Sequence, residues 1–234
     1  VDLISYTLDE NVAVVSMDSG ENRFNLPFFE AFHNALDEIE AKTKANVLVV
    51  KSSHEKIWSN GIDLDWYLPA VQNEGPAIKV RFGREMYGLF ARIITYPMIT
   101  VAAITGHAFA GGAIMSCAFD MRFMRSDRGW FCLPEVDIKI PFSLFFNAVL
   151  KKAIPLNILQ EIQLTGKRMT AEECESQHIV TKSYHIDELM KEVLAYAKTL
   201  DKDREILKVI KARLYHDIVG VYHEQIQAMD EEPV

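Results

Sequence analysis

Two short segments carry residue types that can hold a reacting oxygen. The first is Ser59-Asn60-Gly61-Ile62-Asp63-Leu64, which follows an apolar run at Val47–Val50. The second is Ala110-Gly111-Gly112-Ala113, which follows another such run at Ile99–Ile104. Glycine lets a ligand approach the main chain, and a helix start adds positive potential. Two backbone N–H groups aimed at one point form an oxyanion hole, and loss of one such donor lowers a rate by about 10²–10³. Each segment alone also reads as ordinary architecture, because Asn-Gly is a common turn dipeptide and Gly-Gly permits tight helix–strand packing. It is their joint occurrence, order and spacing that point to chemistry.

Other chemistries lack their residues. His223-Glu224 is followed by Gln227 where a zinc-protease motif needs a second His. Gly166-Lys167 runs into Arg168 rather than Ser or Thr, with no preceding Gly at P-loop spacing. Neither G-x-G-x-x-G nor G-x-S-x-G occurs. The seven histidines are scattered. His107, beside the glycine pair, reads first as a structural hydrogen-bonder and second as a ligand contact. Cys117, Cys132 and Cys174 are odd in number and lack metal spacing, so no metal site is expected and the thiols read as reduced, in an intracellular protein. A net charge of −8 argues against nucleic acid, which attracts clustered Lys and Arg. No apolar run reaches the roughly 18 residues of a membrane span. Val1–Glu10 alternates like a strand rather than a signal peptide, and the ending Glu232-Pro233-Val234 is not a peroxisomal tripeptide, so a cytoplasmic location is expected.

The elements that must position these segments follow from periodicity. Leu3–Leu8 and Val12–Met17 read as paired strands, and Pro27–Lys44 has helical spacing at Phe28, Phe29, Phe32, Leu36 and Ile39. Asn46–Lys51 and Ile99–Ile104 read as buried strands, separated by a helix from about Ile78 to Tyr96 that Pro97 stops. Thr105–Ala113 reads as a small-residue turn entering a helix through Ala118; Asp120–Met124 and Trp130–Leu133 read as short strands. Helices dominate from Pro141 onward, and the acidic end from Asp230 reads as a solvated tail. This order suggests an α/β core followed by a helical region.

The two segments together resemble the crotonase family, the enoyl-CoA hydratase/isomerase superfamily. That family's first oxyanion segment reads roughly small-x-G-x-D-[LI], matched by Ser59–Leu64. Its second is a glycine-rich run, matched by Gly106-His107-Ala108-Phe109-Ala110-Gly111-Gly112, where Ala110 extends the small residues. Asp120 and Pro134-Glu135 match later family positions, and the resemblance covers nearly the whole chain. It implies an α/β spiral of ββα units over residues 1–190, with two roughly perpendicular sheets, and a helical region over 191–234. It also implies an acyl-CoA thioester substrate, no separate cofactor because coenzyme A is part of the substrate, and a homotrimer or hexamer. The apolar C-terminal residues Ile206, Leu207, Val209, Ile210 and Leu214 suit either such assembly or packing within one chain.

By this resemblance the thioester oxygen accepts from the N–H of Ile62 and of Gly111, with Asn60, Gly61, Asp63, Leu64, Ala110 and Gly112 as neighbouring substrate contacts. Arg23 reads either as a coenzyme A phosphate contact or as a solvated surface cation. Hydratases of the family use two glutamates. The first corresponds to Ile114, which cannot transfer protons, and the second to Glu135. A single carboxylate suits movement of a double bond from C3–C4 to C2–C3, because one base can take the C2 proton and return it at C4. The apolar neighbours Ile114, Trp130, Phe131 and Leu133 are expected to exclude water and raise the pKa of Glu135. The stretch Ser126-Asp127-Arg128-Gly129-Trp130, then Pro134-Glu135-Val136-Asp137-Ile138, is similar to plant-type Δ3,Δ2-enoyl-CoA isomerases of fatty acid metabolism, although Lys139 stands where those have Gly. Asp137, two places along an expected strand, is the fallback base, while Asp63 and Asp65 also read as helix caps. Phe142, Leu144, Phe145, Phe146 and Val149 read as acyl-pocket or core residues. Rival readings are another crotonase reaction (dienoyl isomerisation, decarboxylation or thioester hydrolysis) and a non-catalytic acyl-CoA-binding protein.

Overall fold

The apolar runs at Val12–Val15, Val47–Val50 and Ile99–Ile104 form neighbouring strands of one sheet, as residues buried on both faces of a sheet must. A computed structural model describes residues 2–231; Val1 and residues 232–234, including most of the expected acidic tail, lie outside the described residues. The chain opens with a hairpin, β1 (Ile4–Asp9) and β2 (Val12–Met17), followed by α1 (Leu26–Lys42). Asn25 caps α1, its side chain accepting from Phe28 N at 2.9 Å. Then come β3 (Val47–Ser52), β4 (Ile57–Ser59), α2 (Leu64–Glu74) and α3 (Pro76–Thr95). The pattern repeats as β5 (Ile99–Ile104), β6 (His107–Phe109) and α4 (Gly111–Ala118). It repeats again as β7 (Met121–Arg125), β8 (Phe131–Cys132), a 3₁₀ turn at Pro134–Val136 and α5 (Leu144–Ala153). The remainder is α6 (Leu156–Thr165), α7 (Ala171–Ser176), β9 (Lys182–Tyr184), α8 (Ile186–Lys198), α9 (Arg204–Leu214) and α10 (His216–Glu231).

Among the described residues the strands form a six-stranded sheet, ordered β1-β2-β3-β5-β7-β9, and a three-stranded sheet, ordered β4-β6-β8. Only β1 and β2 pair antiparallel. The long strands β3, β5 and β7 each hand the chain to a short strand of the second sheet and then to helix, which is the expected ββα spiral. One face of the large sheet packs on α1, α3 and α4. The other face, with Val12, Val14, Val47, Val49 and Val101, is covered by Leu189, Val193 and Ala197 of α8. Residue 190 thus lies inside a helix that belongs to the sheet packing.

Some elements differ from expectation. Residues 107–109 form a strand rather than part of a turn, because His107 and Ala108 register with β4 and Ala108 and Phe109 with β8. The expected helix from Ile78 is preceded by a separate helix, α2, divided from α3 by Gly75 at φ +71°. Asp137 does not share a strand face with Glu135; it ends the 3₁₀ turn, exposed and against Gly166. Lys139 adopts the left-handed conformation, φ +60°, that glycine adopts more cheaply. No helix among the described residues is long and apolar enough to cross a membrane.

The C-terminal helices are tied down by charge. The Asp120 carboxylate accepts from Lys211 Nζ at 2.7 Å, Thr100 N at 2.8 Å and the Tyr215 hydroxyl at 3.3 Å. Lys211 is 4% exposed and also donates to Met98 O at 3.0 Å. Elsewhere on α9, Ile206, Val209, Ile210 and Leu214 are exposed. Asp120→Ala strips the buried Lys211 ammonium of its counter-charge, so urea unfolding is expected to show a loss of about 3–5 kcal/mol.

Candidate functional site

Gly61 and Gly111, far apart in sequence, meet backbone to backbone. Gly61 has φ +74°, and a Cβ there would lie 2.7 Å from Gly111 N. The neighbouring Gly112 is as tightly placed, since its Cβ would meet Ser59 O at 2.3 Å. No side chain fits either gap, so the loop after β4 and the start of α4 approach as only glycines allow.

Phe24 turns this contact into a directed one. Its N donates to Gly61 O at 2.7 Å, and its O accepts from Asp63 N at 3.0 Å. This single parallel bridge flanks Ile62 and leaves the Ile62 N–H facing away from Phe24. The Phe24 ring is fully buried and lies beneath Gly111. On the other side Ala110 holds φ +48°, a conformation that costs an alanine about 1–3 kcal/mol. It is held there by Ala110 N donating to Cys132 O and Ala110 O accepting from Ile114 N, both at 3.0 Å. Gly111 is the first residue of α4, where N–H groups have no partner within the helix. Neither Ile62 N–H nor Gly111 N–H donates to any acceptor among the described residues.

Both residues line a cleft of about 160 Å³ with Asn60, Leu64, Met86, Ala110, Ile114, Glu135, Ile138, Ile140, Pro141, Phe142 and Phe146. Glu135 is the sole ionisable side chain in this lining. It is 6% exposed, and its Oε2 has no hydrogen-bond partner among the described residues. The backbone around it is fixed by Ile140 N donating to Glu135 O at 3.0 Å and Asp137 N to Pro134 O at 2.9 Å. Burial pushes the carboxyl up from its ordinary 4.5 to about 7, against a weaker opposing bond from its own backbone N–H.

Of the residues singled out in the sequence, the cleft brings together Glu135, Ile62, Gly111, Asn60, Leu64, Ala110 and Ile114. Gly61 and Gly112 stand behind it as the packing contact. Asp63 is turned to structure: it caps α2, accepting from Trp66 N at 3.3 Å, and accepts from Asn25 Nδ2 at 3.1 Å. Arg23 lies outside the lining and is paired with Glu21 at 2.7 Å and Asp65 at 3.1 Å. Glu21 also accepts from Asn60 Nδ2 at 3.0 Å, which ties this pair to the cleft wall. Trp130 does not line the cleft; it sits with His107 and Arg128 in a separate surface depression. Phe145 and Val149 are core, Leu144 is exposed, and Phe142 and Phe146 form the wall. Met86, Ile138, Ile140 and Pro141 were not singled out. Met86 is hidden in the ordinary apolar period of α3, and the others lie on a loop without periodicity.

The sequence matches the enoyl-CoA hydratase/isomerase family over residues 7–231. It is 28% identical over 211 residues to enoyl-CoA delta isomerase 2, peroxisomal, of Arabidopsis thaliana, covering 86% of this chain and 87% of that one. It is 30% identical over 167 residues to enoyl-CoA delta isomerase 1, peroxisomal, of the same plant, covering 70% and 68%. The fold superimposes on an enoyl-CoA hydratase/isomerase family protein of Pseudomonas syringae with a TM-score of 0.87 at 22% identity, covering 99% of both chains. An enoyl-CoA hydratase of Bacillus halodurans gives 0.86 at 20% identity, covering 98% and 93%.

The Glu135 pKa makes stability depend on pH. The folded-state value lies above the unfolded one, so the folded chain holds the proton more tightly between about 4.5 and 7. The stabilisation is full below that window and is lost as pH rises through about 7. Glu135→Gln is therefore expected to raise the unfolding free energy by about 3 kcal/mol at pH 8 and to change it little near pH 5. Chemical denaturation at the two pH values checks this; an equal effect at both would contradict it.

Proposed function

The chain belongs to the enoyl-CoA hydratase/isomerase family, and we propose that it is an enoyl-CoA isomerase moving a 3-enoyl-CoA double bond to the 2-position. The observation that carries this is the single ionisable side chain, Glu135, in a cleft otherwise lined by hydrocarbon, main chain and one amide. Ile114 occupies the position where the family's hydratases carry a second glutamate, and it is buried in the wall. The names of the Arabidopsis relatives agree with this choice.

The thioester oxygen sits between the N–H groups of Ile62 and Gly111. The Glu135 carboxylate removes a proton from C2 of the 3-enoyl thioester. The electron pair delocalises over a dienolate whose negative oxygen is held by the two N–H groups, so the stabilisation grows as charge develops. The protonated Glu135 then donates to C4, leaving the 2-enoyl thioester and the carboxylate restored. No water is activated, and the apolar wall keeps it away. Coenzyme A lies along Asn60–Leu64, with Arg23 at the rim for a phosphate once released from Glu21 and Asp65. No separate cofactor takes part. The exposed apolar side of α9 supports self-association as a trimer or hexamer.

The test is turnover of a medium-chain 3-enoyl-CoA. Wild type is expected to form the 2-enoyl thioester, and Glu135→Gln to lose at least about 10²-fold in kcat. Binding of the thioester without turnover would move the assignment to another crotonase reaction or to a binding role. Because the base must be ionised in the free enzyme, kcat/KM is expected to fall tenfold per pH unit below about 7.

A further inference from the structure

Helix α4 is buried along its whole length, so its negative pole lies away from bulk water. Its C-terminal carbonyls are met by cations instead. Lys152 Nζ, carried by α5, donates to Phe119 O at 2.7 Å and to Cys117 O and Ala118 O at 3.3 Å. Arg122 Nη1, from β7, donates to Phe119 O at 2.8 Å, and its Nε donates to Ile179 O at 2.7 Å. Neither cation has a carboxylate within ion-pair distance among the described residues. The nearby Asp120 is taken by Lys211 at 2.7 Å, so that pair cancels. Tyr215 lies with its ring centroid 5.0 Å from Lys152 Nζ, and Cys117 is a buried neutral thiol. Two cationic side chains without a carboxylate partner among the described residues thus stand at the far end of the helix whose first N–H opens into the cleft.

We propose that Lys152, backed by Arg122, is a positioning residue for the oxyanion hole, its charge holding positive potential at the Gly111 N–H through the buried helix. This rests on the reading of Gly111 as an oxyanion donor. Eight residues at 1.5 Å each separate the ends of α4 by about 12 Å. A unit charge at that distance, at an effective dielectric of about 20, changes the stability of a developing enolate by about tenfold. A neutral ground-state thioester gains far less, so the effect falls on kcat rather than KM. Burial and then the Arg122 charge hold the Lys152 ammonium down at about 7, with Asp120 opposing and Lys211 assisting. The contribution is therefore present below neutrality and fades above it.

The probe is acetoacetyl-CoA, whose C2 proton leaves to give an enolate visible by ultraviolet absorbance. With the probe bound, Lys152→Met is expected to raise the pH midpoint of enolate formation by about one unit. Lys152→Arg, which keeps its charge, is expected to stay at or below the wild-type midpoint. A stabilising role alone would lower the melting temperature of Lys152→Met without moving that midpoint, and this outcome overturns the proposal. So does a raised midpoint in Lys152→Arg. Should Lys152→Met fail to fold, kcat/KM above pH 7 decides. Wild type is expected to pass through a maximum near pH 7 and then fall to a lower plateau, while Lys152→Arg rises to its plateau without a fall, and parallel curves overturn the proposal. Enolate shifts as expected without any isomerisation by wild type would sink the isomerase reading alone. Absence of any bound enolate in wild type would sink both.

Discussion

The close approach of Gly61 to Gly111 is the contact on which the remaining geometry depends. Two main-chain segments from different ββα units touch with no side chain between them. Everything around them can be read as holding that contact in place. Phe24 bridges one strand and packs under the other segment, and Ala110 absorbs backbone strain so that α4 starts in the required direction. A hydrophobic core alone tolerates shifts of a few tenths of an ångström. Such a shift would spoil the proposed convergence of the Ile62 and Gly111 N–H groups on one atom. The second sheet makes the arrangement stiff, because β4 and β6, the strands leading into the two segments, are hydrogen-bonded neighbours.

Much of this was legible in the sequence because glycine and buried strands leave strong signals. The apolar runs at Val47–Val50 and Ile99–Ile104 could hardly be anything but central strands, and the two glycine segments follow them at matching points. The missing α2 is instructive. It buries no residue fully and contains Pro69, so beyond the Asp63 cap nothing in periodicity or propensity marks its extent, which the Gly75 stop and the packing against α3 define. Asp137 was misplaced because Leu133–Ile138 alternates like a strand, whereas Pro134 starts a 3₁₀ turn that sends the two carboxylates to different surroundings. Trp130 was expected in the wall because it is apolar and near Glu135 in sequence. The strand β8 between them carries it away. Met86 shows the opposite limit: a wall residue looks like any core methionine until the fold shows what faces it.

Glu135 illustrates how a site departs from the rules that stabilise a core. A carboxylate with an unpartnered oxygen inside hydrocarbon is a poor structural choice. The same surroundings that make it unfavourable raise its pKa toward neutrality, and in the proposed reaction they would keep water from the carbanion. The proposed role of Lys152 and Arg122 follows a similar logic at the other end of α4, where burying charge costs stability but would direct a field along the helix.

The order β1-β2-β3-β5-β7-β9 means that the large sheet grows outward in the order in which the ribosome delivers its strands. Its cover does not arrive in step. The valines of β2 and β3 and Val101 of β5 are sealed by α8, which ends at Lys198. Until then the nascent chain carries a β-branched apolar surface open to other chains. Synthesis is therefore a stage at which this architecture is exposed to aggregation.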